Sequence, residues 1–195
     1  MTDAADRHGG SQPEMTDARG GDARSAGARA LAEIGAALEV ADPEAMHAFG
    51  VRIAGLLRAG DVVLLTGDLG AGKTTFTRGL GEGLGVRGPV TSPTFVLART
   101  HPSLVGGPAL VHVDAYRLGS ALELDDLDID FERSIVVVEW AAGMLDGITD
   151  TWLELQIERP VGGTATDDGI EPRIVRITGS GARWSDLGWL RASRD

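Results

Sequence analysis

The chain has 195 residues, 43% hydrophobic and 24% charged, which fits one globular domain with a tail and excludes two large domains. It contains no cysteine, so disulfides, thiol nucleophiles, iron-sulfur clusters and Cys-ligated zinc are excluded together. With 18 basic side chains against 29 acidic ones, the net charge of -11 is the wrong balance for gripping a nucleic-acid backbone directly.

Residues 1–27 are mostly Gly, Ala, Asp, Ser and Arg, a composition that buries too little apolar surface to offset ordering, and a disordered tail is expected there. The first ten residues, MTDAADRHGG, carry neither the basic nor the apolar region of a secretory signal. No apolar run approaches the roughly 18 residues of a membrane span, and a cytoplasmic protein is expected. Leu31, Ile34 and Leu38 keep a short helical rhythm. Asp42, Pro43 and Glu44 then supply an N-cap, a first-turn proline and an acid, predicting a helix with Met46, Phe49, Ile53, Leu56 and Leu57 on one face, ending near Gly60.

Val62 to Thr66 (VVLLT) is a short apolar run that reads as a buried strand and leads straight into glycine. Beyond it Phe76, Leu80 and Leu84 recur every four residues up to Gly85. Gly79, Gly81 and Gly83 weaken that helix intrinsically, and close packing on a sheet would justify them. Strands are expected at Thr94–Arg99, Ala109–Val113 and Ile135–Val138, with a helix at Ala121–Leu127 opened by a capping box from Ser120 to Glu123. Leu153, Leu155 and Ile157 alternate with polar residues, as does Arg173–Thr178, predicting an antiparallel hairpin at one sheet edge. Trp184 and Trp189 read as anchors of a last helix. The acid-rich stretch Glu123 to Glu132 reads as a solvated face, with partner docking the alternative. The whole pattern is α/β: a mainly parallel central sheet flanked by helices in one domain over residues 28–195.

Of the basic residues seventeen are arginine, and Lys73 is the one lysine. A lysine that survives where arginine has otherwise taken every cationic position marks a place where a compact ammonium is needed. Lys73 lies in Gly67 to Thr74, GDLGAGKT, which fits the phosphate-binding pattern GxxxxGK[ST] and sits between a predicted strand and a predicted helix, as that loop requires. In such a loop, here Gly67, Asp68, Leu69, Gly70, Ala71, Gly72, Lys73, Thr74 and Thr75, backbone N–H groups surround the phosphates of a nucleotide such as ATP. Lys73 reaches the outer phosphates and the Thr74 hydroxyl ligates Mg2+. A second acid is needed at the end of a neighbouring strand, and both Glu139, after Ile135–Val138, and Asp114, after Leu110–Val113, qualify. Thr91, Ser92, Pro93 and Thr94 form either a loop that senses the terminal phosphate or a turn before a strand.

GDLGAGKTT at Gly67–Thr75, SPTF at Ser92–Phe95, HVDAYRL at His112–Leu118 and EW at Glu139–Trp140, in this order and spacing, resemble the TsaE (YjeE) family over roughly residues 44–160. The resemblance implies a small P-loop ATPase, weak alone and stimulated by partners, with ATP and Mg2+ at its site. It implies work with TsaB and TsaD proteins in making N6-threonylcarbamoyladenosine at position 37 of ANN-decoding tRNAs; the charge balance adds that tRNA is met only indirectly, and the lack of a long apolar run that no membrane is involved. Carried onto this chain, it gives Thr74 and Glu139 as Mg2+ ligands, Lys73, Asp114 and Glu139 as the catalytic set, and Trp140 as a conspicuous tryptophan. His101 stands where the family commonly has tyrosine. Two other readings compete. One is a small-molecule kinase, with Arg173 and Arg176 over the transferred phosphate; the other is a non-catalytic ATP-gated adaptor. A GTPase with an NKxD guanine motif is excluded, because the sole lysine is already in the loop.

Overall fold

The computed structural model describes residues 36–141, 145, 148–159 and 171–186. The expected tail and Trp189 lie outside these residues. The strands are β1 (Ala36–Val40), β2 (Val62–Thr66), β3 (Ala98–His101), β4 (Ala109–Asp114), β5 (Ser134–Glu139), β6 (Trp152–Glu158) and β7 (Arg173–Ser180), and the helices α1 (Pro43–Ala54), α2 (Lys73–Gly83) and α3 (Ala121–Asp125). All seven strands form one sheet in the order β1-β7-β6-β2-β5-β4-β3. Its centre is parallel, because β6, β5 and β4 follow the direction of β2 through the pairs β2–β6, β2–β5 and β4–β5.

Strand alternation divides the apolar side chains between two faces. Val63, Leu65, Ile135, Val137, Leu153 and Leu155 pack with Phe49, Ile53, Phe76 and Leu80 of α1 and α2. Val62, Leu64, Val111, Val113, Val136 and Val138 pack with Leu118 and Leu124 on the other side. The even burial of β2 and β5 explains why they read as continuous apolar runs. Among the described residues no helix is long and apolar enough to cross a membrane.

The expected α/β architecture is present, with four local differences. Leu38 belongs to β1, which pairs antiparallel with β7, so its register with distant residues overrides a short helical rhythm; residues 31–35 lie outside the described ones. The hairpin β6–β7 forms as expected, but β1 covers its outer strand, and the opposite edge is the antiparallel strand β3. Thr94 to Val96 form a turn instead of a strand start, because the Pro93 carbonyl accepts N–H bonds from both Val96 and Leu97 at 2.8 Å. Helix α1 stops at Ala54, after which Leu56 and Leu57 close tighter turns onto the Ile53 and Ala54 carbonyls.

The helix glycines divide by face. Positions i and i+4 share a face, so Gly79 and Gly83 meet α1, while Gly81 meets Val86, Val90 and Leu110. A Cβ at Gly79 would overlap the His47 carbonyl oxygen, and one at Gly50 of α1 would overlap the Phe76 carbonyl. Two of the three glycines thus serve helix-to-helix contact and one serves the expected packing on the sheet side.

Candidate active site at the ends of the parallel strands

Strand β2 delivers the chain into the loop Gly67–Gly72, and α2 begins at Lys73. Gly72, the N-cap, has φ 119°, and no side chain caps the helix, leaving the first-turn N–H groups open to an anion. At Gly67, φ 148° and the nearby Ile157 carbonyl leave no room for a Cβ. The loop opens into a cleft of about 570 Å3 whose lining includes Leu69, Gly70, Gly72, Lys73, Thr74 and Thr75. Ser92, Thr94, Asp114, Tyr116, Glu139 and Trp140 form the facing wall.

Lys73 is only 5% exposed. Its Nζ donates to the carbonyls of Gly67 at 2.7 Å and Asp68 at 3.1 Å, and lies 3.9 Å from Glu139 Oε2. Burial pulls its pKa below the usual lysine value, against the opposing pull of Glu139, Asp114 and Asp68. The indole of Trp140 lies 4.2 Å from Nζ, a cation–π contact, and meets the Tyr116 ring edge-on at 5.5 Å. Trp140 has φ 64°, an uncommon conformation for an aromatic residue, and its N–H donates to the Leu65 carbonyl at 3.2 Å.

The two acids reach the cleft by strand register. Glu139 and Asp114 are direct partners at the ends of β5 and β4, and β5 is next to β2, so Glu139 is the nearer acid to the loop. The Glu139 carboxylate accepts from His112 Nε2 at 2.9 Å, a contact that sequence reasoning missed because the residues are far apart in the chain. Asp114 is held differently: Thr94 Oγ1 donates to Oδ2 at 2.6 Å and the Tyr116 N–H to Oδ1 at 3.1 Å. Thr94 has spent its hydroxyl hydrogen on Asp114, so Ser92 donates to Thr94 in their 2.7 Å contact. The turn reading of Thr91–Thr94 holds from Thr94 onward, and Ser92 and Thr94 line the cleft. Arg117 braces it through the Thr94 carbonyl, and Arg99 through Thr91 Oγ1 at 3.0 Å.

Thus Lys73, Thr74, Asp114 and Glu139 converge on one cleft, while Gly67 and Asp68 meet it through the carbonyls that hold Lys73. A second cavity of about 330 Å3 lies across the loop, lined among others by Pro43, Met46, Ala71, Thr75, Arg159 and Arg173. Arg173 donates to the Ala71 carbonyl at 3.3 Å, whereas Arg176 pairs with Glu158 at 3.4 Å. Neither arginine lines the larger cleft.

A parallel sheet whose first strand feeds a glycine loop and a helix, with acids at the ends of the next strands, is the P-loop fold. Comparison with known proteins agrees. The family model for threonylcarbamoyl adenosine biosynthesis protein TsaE matches residues 40–164, and the chain belongs to that family. It is 59% identical over 143 residues to the tRNA threonylcarbamoyladenosine biosynthesis protein TsaE of Streptomyces coelicolor, covering 72% of this chain and 94% of that protein. The Bacillus subtilis protein of the same name is 35% identical over 149 residues, covering 75% and 87%. The crystal structure of Bacillus subtilis YdiB superposes with a TM-score of 0.61 at 31% identity, covering 81% of this chain and 94% of that one.

Proposed function

We propose that the chain is a Mg2+-dependent ATPase that serves threonylcarbamoyladenosine formation on tRNA, in the cytoplasm, together with TsaB-like and TsaD-like proteins. The observation that carries this reading is the convergence of Lys73, Thr74, Glu139 and Asp114 on one cleft at the uncapped N-terminus of α2. The residues fit the ligands. The cleft offers N–H donors and one ammonium to phosphates, and a hydroxyl and a carboxylate to a hard cation. Among the described residues no group of three or more His, Asp or Glu side chains could hold a metal alone. Mg2+ bound to ATP needs only one or two protein oxygens, and Thr74 and Glu139 supply them. When bound, the ion neutralises charge on the phosphate oxygens.

The chain's own groups do the rest. Lys73 and the first-turn N–H groups of α2 hold the phosphates and stabilise charge at the outer one. Asp114 is fixed by Thr94 and Tyr116, so its carboxylate stays at the cleft wall to orient a water. Trp140, with its ring over the Lys73 ammonium and against Tyr116, forms an aromatic wall beside the phosphate-binding lysine. Arg78 and Arg117 are engaged with the Val90 and Thr94 carbonyls and do not line the cleft, which supports a slow enzyme that a partner completes. Leu69, 90% exposed, and Phe95, 91% exposed, supply apolar contact for that partner. The negative charge supports an indirect relation to tRNA.

The test is ATP binding and phosphate release by the full chain, alone and with TsaB- and TsaD-like proteins. Slow turnover alone and faster turnover with partners are expected, with Lys73→Ala abolishing ATP binding. Wild-type affinity in that variant, or fast turnover by the isolated chain, would overturn the reading.

A further inference from the structure

His112 lies on β4 two residues before Asp114, so both side chains fall on the face of the sheet that carries α2. It is fully buried, at 0% exposure. A carboxylate can only accept, so in the 2.9 Å contact Nε2 carries the hydrogen and donates it to Glu139 Oε1. The other ring nitrogen, Nδ1, has no hydrogen-bond partner among the described residues. Burying an imidazole costs desolvation, and a ring wanted only for volume could be an aliphatic side chain. Among the described residues the one polar contact that the buried ring makes is the bond to Glu139. That bond fixes one carboxylate oxygen from below, while Oε2 lies on the Lys73 side, 3.9 Å from Nζ, where Glu139 lines the cleft.

We infer that His112 is a positioning residue: through Nε2–H it locks the Glu139 carboxylate so that Oε2 faces the cleft as a fixed oxygen ligand for the nucleotide's divalent cation. The inference rests on the proposed ATP and Mg2+ reading of the cleft and adds to it the group that orients the ligand. Outer partners of metal ligands typically govern about 10- to 100-fold in metal affinity.

The chain's side-chain geometry supplies its own control. Glutamine places an amide N–H where Nε2–H stands, whereas asparagine is too short and leucine has no donor. The experiment uses the full chain with ATP bound and titrates Mn2+ as the probe, reading free Mn2+ by electron paramagnetic resonance. Nucleotide affinity is measured separately without metal, and each variant's melting is recorded. His112→Leu and His112→Asn are expected to weaken Mn2+ binding about 10- to 100-fold, with metal-free nucleotide affinity changed by less than about threefold. His112→Gln is expected to recover Mn2+ binding to within about threefold of wild type. If the leucine variant does not fold, the asparagine and glutamine pair decides, since both retain a polar amide. Wild-type Mn2+ affinity in the asparagine variant, or no recovery with glutamine, would overturn the inference alone. A wild-type chain that bound neither ATP nor Mn2+ would overturn the underlying reading as well.

Discussion

The Lys73–Glu139 pair offers a measurement that needs no nucleotide. Both side chains are buried, and the charged atoms are 3.9 Å apart. Two unit charges at that separation attract by about 4 kcal/mol at an effective dielectric near 20. Here the Lys73 hydrogens go to the Gly67 and Asp68 carbonyls and water can enter the cleft, so a smaller coupling of about 1–2 kcal/mol is expected. Lys73→Met alone should destabilise the chain, because it leaves Glu139 and Asp114 side by side without their cation. Glu139→Gln in the Lys73→Met background should cost less than it does in the wild type, or should stabilise. Urea unfolding of the four proteins at pH 7.5 without nucleotide gives the cycle, provided that the m-values agree. Additivity within about 0.5 kcal/mol would refute the claim that these two charges support each other.

Glu139→Gln should keep ATP binding, since glutamine still accepts from His112, but reduce Mg2+-dependent turnover by about two orders of magnitude or more. Asp114→Asn should also impair turnover; if Asp114→Asn abolishes it while Glu139→Gln leaves it intact, the two acids have exchanged roles. Burial lowers the pKa of His101 below the usual histidine value, although its hydrogen bond to the Arg87 carbonyl opposes this. The unfolded chain therefore binds the proton more readily, so His101 contributes stability that is present above about pH 6.5 and is lost as pH falls toward the lowered folded value. His101→Phe should flatten the corresponding acid slope in urea midpoints taken from pH 5 to 7, and an unchanged slope would count against it.

What the sequence disclosed followed the range of its interactions. The strand, loop and helix from Val62 to Gly83 are contiguous, and period, glycine and a lone lysine carry them without reference to anything distant. The two acids could be recognised as strand ends, but only the register Asp114 to Glu139 shows that they stand side by side. The same register brings His112 to Glu139, whereas in the sequence His112 only opens the HVDAYRL motif and nothing there points to Glu139. The helical rhythm of Leu31, Ile34 and Leu38 fails at Leu38, because the strand that holds it is fixed by partners in β7 near the other end of the chain, which a local period does not show. The strand expected from Thr94 begins only at Ala98, because a β-favouring composition gives no sign that one proline carbonyl collects two N–H groups. Close packing accounts for the glycines of α2, but two of the three face a helix, since spacing alone does not name the neighbour.

The contact between α1 and α2 bears on both cavities. At Gly50 and Gly79 the two backbones touch, with no side chain between them to act as a cushion. Side chains can change rotamer and absorb a displacement, but abutting backbones cannot. The start of α2 lines the larger cleft, and the start of α1, through Pro43 and Met46, lines the smaller one. Gly70, Gly72 and Thr75 line both cavities, so the loop and the first turn of α2, backed by this cushionless contact with α1, are the wall between them.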